Sequence, residues 1–223
     1  MGPPAARPSA AAHDGQGPGA AASSPAGGQL FPHRLDWVDG SWVGPLLAPA
    51  EASALLGHLL TGVPWGDHSM RILGREVPMP RRIAWFGEHA IGYSGLVHPA
   101  RPLPEALRAL AERLEEATGQ PYNGVLLNLY RDGDDAMGWH SDDDFDAGPH
   151  RGIASVSLGA TRRFRVRARR GGGPSVGVDL EHGSLLWMPP GFQELHQHAV
   201  PRTRRAVGPR INLTYRWMAA PSG

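Results

Sequence analysis

The sequence predicts a mainly β protein with flanking helices, an α+β arrangement in which an all-β core is covered by helices on one side. Three observations carry this. Apolar residues fall in many short runs rather than long ones; 30 Gly and 22 Pro punctuate a chain of 223 residues; and only two stretches carry the 3.6-residue period of an amphipathic helix.

Residues 1–29 are Ala, Gly, Pro and Ser with hardly a large apolar side chain. Such a stretch cannot bury enough surface to offset the entropy of ordering it, so it is expected to be a disordered tail, with an interaction role as the alternative. A single domain is expected over residues 30–220, beginning where Phe31, Trp37 and Trp42 restore aromatic content. Pro49 to Thr61 places Ala52, Leu55, Leu56, Leu59 and Leu60 on one helical face. Trp65 to Gly95 reads as short strands and turns, punctuated by Gly74, Pro78 and Pro80. Pro104 to Gly119 is the clearest helix, with Pro in the first turn, a Leu107–Leu110–Ala111–Leu114 stripe and Gly after the end.

Val125 to Leu127 reads as a buried strand that ends at the turn signal Asp132–Gly133. Strands are also expected at Ile153 to Leu158 and at Gly183 to Met188, the latter stopped by Pro189, Pro190 and Gly191. Between them Phe164, Val166 and Ala168 alternate with Arg163, Arg165, Arg167 and Arg169, which puts four guanidiniums on one strand face. Like charges so close need an anion nearby. Either a nucleic-acid backbone or the chain's own Asp and Glu residues could supply it.

Composition narrows the chemistry. Cysteine is absent, so disulfides and thiolate metal sites are excluded and any metal must be held by His, Asp or Glu. No apolar run approaches 18 residues and the N-terminus lacks a charged region followed by an apolar core, so the expectation is a cytoplasmic enzyme without a membrane span. The net charge of +1 announces no polyanion partner, and a basic surface would have to be local. All 22 cationic side chains are Arg, the better bidentate ligand for carboxylate and phosphate.

The chemistry converges on the stretch from Asn128 to Asp144, NLYRDGDDAMGWHSDDD. His140 and Asp142, two apart on an extended segment, point the same way, and an imidazole and a carboxylate so placed form two thirds of a facial triad for iron(II). Downstream lie His196 and His198 in His-Gln-His-Ala-Val-Pro, and then Arg210 to Arg216, RINLTYR. In that last run Arg210, Asn212, Thr214 and Arg216 share one side of a strand. Four polar side chains on an inward face would be costly without a ligand.

The ordered set Asn-Leu-Tyr, His-x-Asp, a distal His and Arg-x-Asn-x-Thr-x-Arg resembles the AlkB family of iron(II)- and 2-oxoglutarate-dependent dioxygenases, over residues 65 to 218 and closest to its DNA-repair branch. The resemblance implies a double-stranded β-helix (jelly roll) core at about 120–218, with a nucleotide-recognition part at about 65–100. It implies that His140, Asp142 and His198 hold iron(II), with His198 preferred over His196 because of its Gln-His-x-Val-Pro setting. Arg210, helped by Tyr130 and Thr214, would take the 5-carboxylate of 2-oxoglutarate. Asn128 and Arg216 would steady the metal end, with Asn212 on the same face, and dioxygen would complete the reactants.

For the substrate, Tyr93 and Ser94 match the family's base-stacking position, Arg81 matches a DNA-contacting position, and Asp143 and Asp144 stand where acidic residues face the base. Tyr93 as a core residue and a solvated Asp143–Asp144 turn are the alternatives. Ile72, Leu73 and Gly74 resemble the hairpin pushed into a duplex, although Leu73 stands where double-strand-repair members carry an aromatic, and an ordinary inward-packing hairpin is the alternative. The implied function is oxidative demethylation of N-alkylated bases such as 1-methyladenine and 3-methylcytosine in DNA, by a monomer. The competing readings are an oxygenase of the same chemistry acting on RNA, protein or a small molecule, and a non-catalytic binding module on the same fold.

Overall fold

The computed structural model describes residues 2, 33–34, 40–72, 74–93, 95–143, 151–171 and 173–220, with side chains left out at 33–34 and 70–72. Apart from residue 2, the expected tail at 1–29 lies outside the described residues.

In chain order, β1 (His33–Arg34) and β2 (Trp42–Pro45) lead into α1 (Pro49–Gly62), which has Pro in its first turn, where an amide N–H would lack a helical partner anyway. Two hairpins flank β5 (Arg82–Gly87): β3 (Ser69–Ile72) with β4 (Arg75–Pro78), and β6 (Ile91–Tyr93) with β7 (Leu96–His98). α2 (Glu105–Thr118) turns its Leu107–Leu110–Ala111–Leu114 stripe inward and stops at Gly119, whose φ of 75° suits a residue without a Cβ. Then come β8 (Gly124–Tyr130), β9 (Met137–His140), β10 (Ile153–Gly159), β11 (Arg162–Ala168), β12 (Val176–Leu180) and β13 (Ser184–Met188). A short α3 (Phe192–Leu195), β14 (His196–Val200) and β15 (Arg210–Arg216) complete the order.

Two antiparallel sheets are built from these strands. The major sheet runs β1-β2-β13-β10-β15-β8-β5 and the minor sheet β12-β11-β14-β9. They face each other across a shared core in which Val43, Ile153, Leu186 and Met188 of the major sheet meet Phe164, Val166, Leu180 and Val200 of the minor one. This is the expected jelly roll.

The period of two in the major sheet gives each strand two jobs. On β8, Val125, Leu127 and Leu129 face α1 and α2, while Leu126, Asn128 and Tyr130 line the interior between the sheets. On β15, Ile211, Leu213 and Tyr215 face the helices, while Arg210, Asn212 and Thr214 line the interior. The helix side is held by Leu59, Leu107, Leu110 and Leu114 against those aliphatics; each buried Leu contributes roughly 1.5–3 kcal/mol. Tyr215 Oη donates to Leu107 O at 2.9 Å and ties the sheet to α2, and burial raises its pKa, so the phenol stays protonated. The helices thus anchor one face of the sheet and leave the other to build a site. Among the described residues no helix is long and apolar enough to cross a membrane.

Candidate active site

The pairing of β9 with β14 brings His140 and His198 directly opposite one another, with ring centroids 4.2 Å apart. Asp142 follows β9 by two residues. Its Oδ1 lies 3.6 Å from His140 Nε2 and its Oδ2 4.0 Å from His198 Nε2. The three donor atoms lie within 4.8 Å of one another, and this trio is the group among the described residues with metal-binding geometry.

Protonation suits coordination. Gly138 O can only accept, so the 2.9 Å contact with His140 Nδ1 places the proton there and leaves Nε2 with its lone pair toward Asp142. Burial, reinforced by the neighbouring His140, pushes His198 down to about 3, so its imidazole is neutral at physiological pH. Phe164 stacks on the His198 ring at 5.2 Å. Burial pushes the Asp142 carboxyl up, but its neighbours, the Arg216 cation foremost, outweigh it and hold the group below the usual carboxylate range. Arg216 Nη2 sits 3.3 Å from Asp142 Oδ2. Two imidazoles and one carboxylate make a borderline N and O set that fits iron(II) and leaves one side open.

Along β15 from Arg216 the interior face runs through Thr214 and Asn212 to Arg210. Thr214 Oγ1 donates to Asn212 Oδ1 at 3.1 Å, and Asn212 Nδ2 donates to Ser155 Oγ at 2.7 Å. Arg210 is 1% exposed. Its Nη2 donates to Ser157 Oγ at 2.9 Å, and among the described residues the buried Nε and Nη1 meet no acceptor in full hydrogen-bonding geometry, the Tyr130 phenol being the group that interacts with the guanidinium. Tyr130 lies beside it, the guanidinium carbon 5.2 Å from the ring centre. Burial lowers the Arg210 pKa to about 10, which still leaves a full charge at neutral pH. A buried guanidinium with two donors to spare fits a carboxylate, and one cavity carries both this residue and the triad. A roomier cavity of about 530 Å³ lies behind the sheet, lined by Arg101, Arg108, Glu112 and Tyr122, and includes none of these groups.

The other expected site residues are distributed unevenly. His140, Asp142, His198, Asn128, Tyr130, Arg210, Asn212 and Thr214 line one cavity together with Tyr93. Tyr93 is itself buried, and its Oη accepts from Arg81 Nη2 at 2.7 Å; burial raises its pKa. Arg81 is 2% exposed, and with Nε donating to Asn128 Oδ1 at 2.9 Å it braces Asn128 and Tyr93 from behind. Asp143 sits at the surface beside the site. It is exposed, does not line the cavity, and its carboxylate is engaged by Arg169. Leu73, Ser94 and Asp144 lie outside the described residues, as does the side chain of Ile72; Gly74 is exposed at the β3–β4 turn with φ 79°.

The arginine face of β11 resolves into pairs of differing quality. Arg163 meets Asp179 at 3.2 Å and Arg169 meets Asp143, whereas Arg165 has the Ser175 hydroxyl, and Arg167 has Gln197 and the Trp139 ring, 4.3 Å from its centre. The chain's own acids therefore account for half of that face. His196 packs on Phe192 at 5.1 Å instead of joining the triad, and His182 Nδ1 accepts from Gly159 N–H at 2.8 Å. Sequence reasoning missed Ser155 and Ser157, although polar residues alternating through the apolar run Ile153 to Leu158 were a signal. It also missed Gln193, for which no signal exists.

These positions lie within a recognised pattern. The profile of the 2OG-Fe(II) oxygenase superfamily matches residues 41–216. The chain belongs to that superfamily. Within it, alpha-ketoglutarate-dependent dioxygenase alkB homolog 3 of Homo sapiens is 38% identical over 175 residues, covering 74% of this chain and 61% of that protein. DNA oxidative demethylase ALKBH2 of Mus musculus is 36% identical over 183 residues, covering 77% of each. These relatives place the chain in the AlkB family, and it spans about three fifths of the length of the alkB homolog 3 proteins it matches. The solved structure of OsALKBH1 superposes with a TM-score of 0.59 at 18% identity, over 79% of this chain and 97% of that one, a likeness of fold.

Proposed function

We propose that this chain is an iron(II)- and 2-oxoglutarate-dependent dioxygenase that oxidatively demethylates N-alkylated bases in DNA, with 1-methyladenine and 3-methylcytosine as its substrate class. The observation that carries the reading is one cavity that joins the His140–Asp142–His198 trio to the buried, under-bonded guanidinium of Arg210. The choice of DNA rests on kinship with proteins named DNA oxidative demethylase.

In this reading His140 Nε2, Asp142 and His198 would hold iron(II), and Arg210 would fork its Nε and Nη1 onto the distal carboxylate of 2-oxoglutarate. The bound metal supplies activation of dioxygen, at the expense of 2-oxoglutarate, which leaves as succinate and carbon dioxide. The chain's own residues position and shield. Arg216 holds the Asp142 carboxylate in place and keeps it ionised. Asn128, kept in orientation by Arg81, and Tyr130 wall the cavity. Tyr93 offers an aromatic wall in the same cavity as His140, suited to a flat base drawn out of the stack; such stacking contributes roughly 1–3 kcal/mol. The methyl carbon gains one oxygen atom and leaves as formaldehyde, returning the base nitrogen to its unmodified state.

Formaldehyde release from oligodeoxynucleotides bearing 1-methyladenine or 3-methylcytosine, with iron(II), 2-oxoglutarate and ascorbate, tests this directly. Release by the native chain and none by Asp142→Ala is the expected result. Succinate formed without formaldehyde from DNA, but with formaldehyde from methylated RNA, would move the substrate from DNA to RNA.

A further inference from the structure

The metal-binding trio is strapped to a four-residue turn by a side chain outside it. Gln193, on α3, accepts the Asp142 backbone N–H on its Oε1 at 2.9 Å; the same oxygen lies 3.2 Å from His198 Nε2, a contact that holds only while that nitrogen carries its proton and is given up when Nε2 turns its lone pair to a metal. Its Nε2 contacts Met188 Sδ at 3.5 Å, which sets the orientation of the amide, since the thioether is an acceptor. The backbone of Gln193 takes part as well. Its carbonyl accepts from Arg169 Nη1 at 3.3 Å, and Arg169 also grips Asp143, the neighbour of Asp142. Ser141 Oγ donates to His196 O at 2.8 Å from the other side of the same loop. Residues 141–143 follow the last residue of β9 and lie outside any strand ladder, so ladder bonds do not hold the carboxylate in place. The ties to α3 and β14 do.

The geometry points to Gln193 as a positioning residue for the metal centre: its amide oxygen fixes the Asp142 backbone against the strand that carries His198, so that carboxylate and imidazole reach one point together. This inference rests on the metal-centre reading above. Groups that orient metal ligands typically change metal affinity by 10- to 100-fold when removed. Gln193 acts through an N–H bond and does not touch the cosubstrate cavity, so the effect belongs to the metal rather than to 2-oxoglutarate.

The test is Mn(II) binding to the purified chain, followed by calorimetry and by the Mn(II) electron paramagnetic resonance spectrum, with a thermal melt for each variant. Gln193→Met keeps the length of the side chain and removes the acceptor; its dissociation constant is expected to rise roughly 10- to 100-fold with a broadened spectrum. Gln193→Glu keeps an oxygen for the Asp142 N–H and is expected to restore tight binding. A Met variant that melts lower yet binds Mn(II) as the native chain does would make Gln193 a packing residue and overturn the inference. Should the Met chain not fold, Gln193→Asn, one methylene too short to reach, is judged on the same affinity. A native chain that binds no Mn(II) would instead sink the metal-centre reading itself, and the inference with it.

Discussion

The two faces of β15 are both largely buried and do opposite things. Toward the helices, Ile211, Leu213 and Tyr215 are fully buried among aliphatic side chains. Toward the interior, Arg210 and Arg216 are each 1% exposed and Thr214 is buried too. Removing apolar surface from water favours folding, whereas removing a guanidinium from water opposes it unless an anion and hydrogen bonds compensate. Arg216 has Asp142; Arg210 has a serine hydroxyl and the Tyr130 phenol but, among the described residues, no carboxylate. One strand therefore carries stability on its odd-numbered residues and, in the proposed reading, ligand recognition on its even-numbered ones. Neither can be read from burial alone.

That separation can be broken from either side. Asp142→Ala should abolish turnover, by more than the roughly 10- to 100-fold typical of residues that only orient a metal ligand, while the melting transition stays cooperative. Formaldehyde release and a thermal melt on the same sample measure both. On the outer face Leu213→Ala should do the reverse, lowering unfolding free energy by about 2–5 kcal/mol with activity per folded molecule preserved; a drop in activity without a drop in stability would contradict the division. Arg210→Met is the sharper case. It should raise the KM for 2-oxoglutarate by roughly one to two orders of magnitude, as expected for lost hydrogen bonds between charged partners, and leave the chain as stable as before or more so, because a buried cation has been replaced by a thioether.

A second charge cluster shows what a purely structural ion pair looks like here. Arg131 Nε and Nη2 each lie 2.8 Å from the Asp135 carboxylate, which also accepts the Arg131 backbone N–H. Behind it the buried Arg162 donates to the carbonyls of Asp132, Asp135 and Pro201, pinning the turn after β8. Burial pushes the Asp135 carboxyl up, but its bonds to Arg131 outweigh this and hold the pKa below 3.8. A carboxyl depressed in the folded state contributes stability that is fully present above its unfolded pKa and is lost as pH falls through the folded value. Asp135→Asn should thus cost on the order of 1–3 kcal/mol at neutral pH and flatten the fall of Tm below about pH 4, with no change in Mn(II) affinity.

What the sequence disclosed follows the same division. A continuous apolar run closed by the Asp132–Gly133 turn made β8 legible, and period-two alternation made β15 legible, because a buried strand that still alternates apolar with polar must have a reason for its polar residues. The helices were legible through their stripes and end signals at Pro49 and Gly119. α3 was not, because four residues make barely one turn and leave no period to detect, and Gln193 with it. The surroundings of Arg81 were not legible for a different reason. A motif match places a residue along the chain, but which side of β5 and β8 it enters depends on partners 12 and 47 residues away. Asp143 likewise reads as one of three consecutive acids, and only the approach of β11 shows that Arg169 claims it.

The smallest expected effect separates two arginines on the outer face of the minor sheet that the sequence makes equivalent. Arg163 and Arg165 both point outward from β11, but Arg163 is neutralised by Asp179 and Arg165 has only a serine hydroxyl. If this face follows a DNA backbone, Arg165 is free to exchange that hydroxyl for a phosphate oxygen, whereas Arg163 would first have to leave a carboxylate. Each phosphate neutralised on a duplex contributes about 0.9 to the slope of log affinity against log salt. Arg165→Ala should reduce that slope by nearly one unit and weaken binding evenly across sequences, and Arg163→Ala should change it less. Equal slopes for native and both variants would take this face out of nucleic-acid contact and leave recognition to the cavity mouth.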